Sequence, residues 1–343
     1  MRIAAVYEPR LVNATYRALI PLAELGRRGH EVEGFPQRGD ELSGSFDALT
    51  RFDVVHVHRL IVDDDDAFVE RLHDAGVAVC FDNDDDAGAV TPEMWERLGD
   101  EVDPESIRRL IREHERAQAL LPQMDVVTTP SSVLAERYRA AGARDVRVIE
   151  NHLAREQLRI RPVAFDGFVV GWHGGREHLW DVDALAVDRV LLELLDAHPH
   201  VHVVTIGVDL RLDHNRYQHR EWVELDELLD HVAGFDIGIA PLNDDPFSVG
   251  RSAVKLREYA AAGTPWVASA VGPYRDFGRE QGGCVVERDG WLEALDRLVR
   301  SPMERMRLRR RARSWTKREL IESTADAWED AFEDAVARVH AAV

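Results

Sequence analysis

Lysine is nearly missing from this chain: of its 43 lysine and arginine residues, only Lys255 and Lys317 are lysines. Cysteine is scarce too. Cys80 and Cys284 lie far apart in apolar surroundings, which excludes a disulfide scaffold and reads as reduced core thiols, so a cytoplasmic location is expected. Neither cysteine has a nearby histidine arrangement suited to a nucleophile or a zinc site. Long apolar runs are absent as well. No stretch approaches the ~18 apolar residues of a membrane span, and the opening MRIAAVYEPR runs straight into a strand pattern, unlike a signal peptide. Positive charge is outweighed by 63 acidic residues, and the net charge of -20 argues against a nucleic-acid or anionic-membrane partner. An anionic ligand would need a local basic pocket. There is no Gly-x-Ser-x-Gly elbow, no phosphate-loop Gly-Lys-Ser/Thr and no strand-linked Gly-x-Gly-x-x-Gly, which argues against hydrolase, nucleoside-triphosphatase and dinucleotide readings.

What is present is alternation. At 343 residues the chain exceeds the roughly 250 to 300 at which a single core stops growing, so two domains are expected. Strand patterns occur at Arg2 to Tyr7, Glu31 to Phe35, Asp53 to Val57, Val77 to Phe81, Asp125 to Thr129 and Val146 to Ile149, with helical stretches near 13 to 28, 65 to 75, 105 to 121 and 131 to 141. The pattern restarts with strands at Phe168 to Trp172, His202 to Ile206, Ile237 to Ala240, Trp266 to Ser269 and Cys284 to Glu287. Helices fall between them near 179 to 197, 225 to 233, 251 to 262 and 290 to 300. The expected architecture is α/β: two doubly wound, Rossmann-like domains over 1 to 152 and 166 to 314. A linker is expected at 153 to 165, followed by a helix over 315 to 343 whose apolar side packs back onto the first domain. The run MERMRLRRRAR at 303 to 313 reads as a solvated helix face pairing with carboxylates.

Four groups of residues carry candidate chemistry. At ~100° per residue, Arg251, Lys255 and Glu258 share one stripe of the 251 to 262 helix, which starts where a parallel sheet usually binds its ligand. Taken alone, such a stripe is more often a solvated charge ladder. A compact lysine ammonium in so arginine-rich a chain nevertheless suits a point contact to phosphate. Second, Gly171-Trp172-His173-Gly174-Gly175 joins a strand to a helix, where glycines let backbone N–H groups approach an anion and His178 occupies the first helical turn. Third, the acidic runs Asp63 to Asp66 and Asp82 to Asp86 invite a Mg²⁺ reading; the first precedes a helix and suits a simple cap, whereas Asp82 is read as a metal ligand or as the acceptor of a substrate hydroxyl. Asp82 and Asp84 end a strand and so face a ligand crevice. Fourth, His56 and His58 share a strand face but lack a third zinc ligand.

The order of these parts resembles the GT-B glycosyltransferases, and within them the retaining glycosyltransferase family 4. The matching pieces are LAELGRRGHEV at 22 to 32, DVVHVH at 53 to 58, VVTTPSSVLAERY at 126 to 138, VVGWHGGREHLWDV at 169 to 182, and FDIGIAPL with KLREYAAAGTPWVAS in the 235 to 276 stretch. The resemblance implies a sugar-nucleotide donor, UDP-, GDP- or TDP-linked, and a hydroxyl acceptor, with no metal required. It places Arg251 and Lys255 at the phosphates, Glu258 at the ribose, and the Gly174-Gly175 turn and His178 beside the pyrophosphate. Asp82 would carry the chemistry on the acceptor side, with Arg17, His58 and Asp84 around the acceptor. Loops 8 to 16, 82 to 104 and 207 to 224 would set base, sugar and acceptor. Two departures stand out. The family often has two glutamates separated by seven residues, and Gly250 occupies the first position, which Asp244 or Asp245 could replace only through loop geometry. Where a histidine is common, this chain has Asp82. A sugar-nucleotide epimerase and a non-catalytic sugar-nucleotide binder remain alternatives.

Overall fold

The computed structural model describes residues 1–9, 11–36, 46–59, 65–91, 94 and 104–342. Asp63 and Asp64 of the first acidic run lie outside the described residues, as do the side chains of Asp65 and Asp66. The described chain forms two six-stranded sheets. The first contains β1 (Arg2–Tyr7), β2 (Glu31–Pro36), β3 (Val54–His58), β4 (Ala78–Asp82), β5 (Val126–Thr129) and β6 (Val146–Val148), ordered β2-β1-β3-β4-β5-β6. The second contains β7 (Phe168–Gly174), β8 (Val201–Gly207), β9 (Tyr217–Arg220), β10 (Ile237–Ala240), β11 (Trp266–Ser269) and β12 (Gly283–Val286), ordered β12-β11-β10-β7-β8-β9. Every pairing is parallel. Strands covered on both faces need continuous apolar sequence, and VVHVH of β3 and AVCFD of β4 are buried throughout.

The helices cover both faces. A first helix, α1, starts at Val12–Ala14, widens into a π turn over Thr15–Leu19 and continues through Ile20–Arg27. It is followed by α2 (Asp65–Asp74), α3 (Pro104–Leu120) and α4 (Ser132–Ala140). Around the second sheet lie α5 (Leu179–Leu185), α6 (Val187–Ala197), α7 (Leu225–Val232), α8 (Val254–Ala262), α9 (Trp291–Arg300) and α10 (Pro302–Thr316). After α11 (Ile321–Thr324), the helix α12 (Asp326–Ala342) returns to the first sheet. Its Trp328, Phe332 and Ala335 join one core with Ile3, Ala5, Leu25 and Cys80. Each such aromatic contributes about 2 to 3 kcal/mol through burial.

Strand order locates the ligand crevice. Connections leave in opposite directions from neighbouring strands β1 and β3 in one sheet, and β7 and β10 in the other, so each sheet opens a crevice at its carboxyl edge there. The two crevices face one another.

The structure departs from the sequence reading at two elements. The helix expected from residue 251 begins at Val254, because Asp245 Oδ1 accepts from the Phe247 and Ser248 backbone N–H groups and holds a turn that runs into the 3-10 segment Ser248–Gly250. Arg251 therefore precedes the helix. The stretch expected as a linker, 153 to 165, makes hydrogen bonds to later elements: the Ile321 N–H donates to Leu153 O, and the Arg161 N–H donates to Asp230 Oδ1 at 2.6 Å. Edge strand β9 was not expected, since Tyr217, Gln218, His219 and Arg220 lack an apolar pattern.

Candidate active site

A cavity of about 700 Å³ fills the space between the two crevices. On the second-domain side, β7 ends in the His173–Gly175 turn. A Cβ at Gly174 would come within 3.3 Å of Lys255 Nζ and 2.8 Å of the Trp172 ring, so only glycine lets the turn close over the lysine. Lys255 is 5 % exposed, which rules out a solvated charge ladder. Its ammonium donates to His173 O and lies 5.6 Å from the Trp172 ring centroid. Burial pulls its pKa down to about 8, against the attraction of Glu258.

The amino end of α8 opens on this cavity with no side-chain cap, so its N–H groups and dipole favour an anion. Arg251 lies beside it, with Nη2 3.2 Å from Glu177 Oε1. His178 Nδ1 is 3.1 Å from Asp181 Oδ2 and 3.2 Å from Arg251 Nη1. Burial, reinforced by Arg251 and Lys255, keeps this imidazole neutral, so it donates to the carboxylate or accepts from the guanidinium. Behind it, burial pushes the Asp181 carboxyl up to about 7, even though Asn243 N and Ser248 Oγ donate to it.

One helical turn along α8, Glu258 is held at the cavity wall. Tyr16 Oη, from the first domain, donates to its Oε1 at 2.6 Å. Burial raises the carboxyl's pKa, while this hydrogen bond and Lys255 oppose the rise. Further ties cross the cleft: Asn151 Nδ2 donates to Ser252 Oγ at 3.1 Å, and Arg137 Nη2 donates to Pro246 O at 2.7 Å.

The first domain lines the cavity with the ends of β1, β3 and β4. Arg59, which follows β3 in a left-handed backbone conformation, donates from Nη2 to Asp84 Oδ1 at 2.9 Å and to Asp85 Oδ2 at 2.5 Å. Asn13 Nδ2 also donates to Asp84 Oδ1, at 2.7 Å. Burial acts to raise the Asp84 carboxyl, but Arg59 holds it well below its usual range. Asp85 is pushed upward by burial and by Asp84.

Of the sequence candidates, Gly174, Gly175, His178, Arg251, Lys255, Glu258 and Asp84 line one cavity. Asp82, Arg17 and His58 do not. Asp82 and Arg17 are fully buried against each other: Arg17 Nε and Nη2 donate to Asp82 at 3.0 and 2.6 Å, and Thr128 Oγ1 donates at 2.5 Å. The guanidinium sits 4.9 Å from the Trp328 ring centroid, so this pair is part of the packing of α12. His58 is likewise fully buried, with both ring nitrogens lacking partners and Nε2 3.6 Å from Asp84. His56 packs on Trp328 and Phe332, and burial takes its pKa down to about 4, a core histidine. Asp245 cannot replace a glutamate at 250, since its oxygens accept from Trp180 Nε1 and Asn243 Nδ2 as well as the loop N–H groups. Asp244 lies 3.8 Å from Arg275, in an ion pair with both side chains largely exposed. The sequence reading missed Tyr16, Arg59, Asp85 and the half-exposed Trp222, all lining residues. Arg59 carried no sequence signal, whereas Asp85 stood in a run already singled out. Among the described residues no cluster of three or more His, Cys, Asp or Glu side chains is placed to hold a metal ion.

No family model matches the chain, and no curated protein matches its sequence. Solved structures do share its fold. Sucrose-phosphate synthase from Thermosynechococcus elongatus superposes with a TM-score of 0.65 at 14 % identity, covering 100 % of both chains. HepE of Anabaena in complex with UDP gives 0.62 at 14 % identity over 97 % of this chain and 100 % of its own. An alpha-glucosyltransferase in complex with UDP-glucose and DNA containing an abasic site gives 0.65 at 12 % identity over 97 % and 99 %. The chain has the GT-B fold: two Rossmann-like domains facing a central cleft.

Proposed function

We propose that this protein is a glycosyltransferase that moves a sugar from a nucleotide-sugar donor to an acceptor hydroxyl with retention at the anomeric carbon. The observation that carries the reading is the Gly174–Gly175 turn closed over Lys255 beside Arg251 and the open amino end of α8, with Glu258 one turn further along. That set fits a diphosphate followed by a ribose. The sequence resemblance to family 4 and the nucleotide complexes among the structural neighbours support it, and retention rests on the resemblance.

In the reaction, the acceptor oxygen bonds to the anomeric carbon as that carbon's bond to the diphosphate oxygen breaks. The bonding pair stays with the departing nucleoside diphosphate, whose oxygen takes the hydroxyl proton. Lys255, Arg251 and the α8 N–H groups stabilise the charge that builds on this leaving group. Preorganised donors in a site shielded from water do this at little reorganisation cost. Asp85 replaces Asp82 as the carboxylate that meets the acceptor, since it lines the cavity and feels the charges of Arg251 and Glu177.

Incubation with UDP-, GDP- and TDP-sugars and a mixture of alcohols, followed by mass spectrometry, tests this reading. Released nucleoside diphosphate with a glycosylated product is the expected result. An isomerised donor would instead establish an epimerase, and binding without turnover a non-catalytic protein.

A further inference from the structure

Helix α10 concentrates positive charge in an otherwise acidic chain. Residues 303 to 318 hold eight arginines and lysines against one glutamate, Glu304. At ~100° per residue, Leu308, Ala312 and Trp315 form its inward stripe, and all three are buried. Arg305 and Arg309 serve the fold: Arg305 Nη1 donates to Val299 O at 2.8 Å, and Arg309 Nε donates to Gly263 O at 2.9 Å. The opposite arc, ~160° wide, carries Met303, Met306, Arg307, Arg310, Arg313 and Lys317, all exposed. We propose that this face of α10 docks the protein on a membrane surface rich in anionic phospholipid. The proposal is independent of the transferase reading.

The cations of the face are not spent on internal pairs. A run of this kind reads from sequence as a solvated face pairing with carboxylates, but on the outer arc that holds for Arg311, which lies 3.2 Å from Glu280. Among the described residues, Arg307, Arg310, Arg313 and Lys317 make no ion pair. Glu304, the helix's own carboxylate, is taken by Arg279 at 2.7 Å and faces Arg297 at 3.7 Å. Four unpaired cations thus stand along a helix about 22 Å long, at ~1.5 Å per residue. Clusters of four or more arginines and lysines on one helical face suit anionic headgroups. Arginine also meets phosphate oxygens through two N–H donors at once.

The methionines decide between a bilayer and other polyanions. Met303 is 57 % exposed, more than any other large apolar side chain among the described residues, and Met306 is 40 % exposed. Both lie between the cations on the same arc. A bilayer interface offers phosphates with an apolar layer directly beneath, so arginines and methionines are satisfied together. A nucleic acid offers the phosphates alone and leaves both thioethers in water. A single convex helix also matches a plane, having no groove of its own.

The net charge of -20 does not forbid this. Exposed charges act over a Debye length of about 8 Å at ~0.15 M salt, so the acidic surfaces elsewhere on the molecule are screened from whatever lies against α10. Docking there also leaves the cavity clear. Helix α10 meets α8 at its carboxyl end, Gly263, whereas the amino end of α8 opens on the cavity.

Co-sedimentation of the full chain with vesicles tests the proposal. Phosphatidylcholine vesicles are compared with vesicles that also contain roughly 30 % phosphatidylglycerol, at ~0.1 M salt, where exposed charges still act over about 10 Å. Partitioning onto the anionic vesicles at least tenfold above the neutral ones is expected. Arg307→Glu with Arg310→Glu should lower it at least tenfold. Met303→Ser with Met306→Ser keeps the charge and should lower it severalfold. All four positions are exposed, so the urea midpoint of both double variants should match wild type, and any variant that misses this is replaced by Arg307→Gln with Arg310→Gln or by Met303→Gln with Met306→Gln. Equal partitioning onto both vesicle types, or wild-type binding by either folded double variant, would overturn the proposal. Tighter binding to a DNA oligonucleotide than to the anionic vesicles would overturn it too, in favour of a nucleic-acid surface.

Discussion

Tyr16 and Glu258, 242 residues apart, meet across the cleft through a buried hydrogen bond of 2.6 Å from phenol to carboxylate. The tyrosine occupies the oxygen that the donor reading assigns to ribose. Bound nucleotide must therefore exchange one partner for another. Tyr16→Phe leaves the empty carboxylate less well satisfied, so nucleoside diphosphate affinity is expected to rise by about 1 kcal/mol, roughly fivefold. Isothermal calorimetry checks this, and weaker binding would mean that the phenol touches the nucleotide itself.

Lys255→Ala is expected to weaken nucleoside diphosphate binding by about 1 to 3 kcal/mol, the range for a charged hydrogen bond. Its pH dependence follows from burial, which sets the free-state pKa near 8 against Glu258, with Arg251, Glu177 and Asp181 also acting on it. Diphosphate favours the protonated amine. Affinity should therefore be fully present below pH 8 and fall as pH rises through it. A calorimetric titration series with a flat profile from pH 7 to 9 would remove Lys255 from the phosphate site.

Asp181 offers a stability test. Its carboxyl is raised to about 7 when folded, chiefly by burial, against an ordinary value of 3.8. The folded chain thus holds a proton that the unfolded chain has already lost. This contribution to stability is present at low pH and disappears as pH rises from about 4 to 7, by on the order of 4 kcal/mol. Asp181→Asn cannot titrate, so the difference in urea-derived stability between wild type and variant should swing in the variant's favour over that window. A pH-independent difference would contradict the assignment.

Asp82→Asn is expected to cost about 3 to 5 kcal/mol of stability, because it leaves the Arg17 guanidinium buried without its counter-charge. The loss should appear as a lower urea midpoint with nucleotide affinity unchanged. A stable variant with impaired turnover would return Asp82 to the acceptor site.

Asp82 also shows where sequence reasoning stopped. Asp82 ends a buried strand, yet which carboxylate of Asp82, Asp84 and Asp85 lines the cavity depends on how the chain turns there and on Arg17, 65 residues away. Long-range partners leave no local pattern. The strands themselves were legible because burial on both faces forces runs such as VVHVH and AVCFD. Strand β9 at a sheet edge is half exposed and escapes that rule. Lys255 and Glu258 were recognisable from their spacing and from the rarity of lysine. Their burial was not, since four residues of helix look the same whether they face water or Trp172.

The return of α12 to the first sheet has a consequence for the order in which the protein matures. Ile3 and Ala5, which precede the whole second domain in the chain, are covered by Trp328, Phe332 and Ala335, which follow it. During translation one face of the first sheet therefore stays open while the whole second domain is made. The first domain is begun before the second and completed after it.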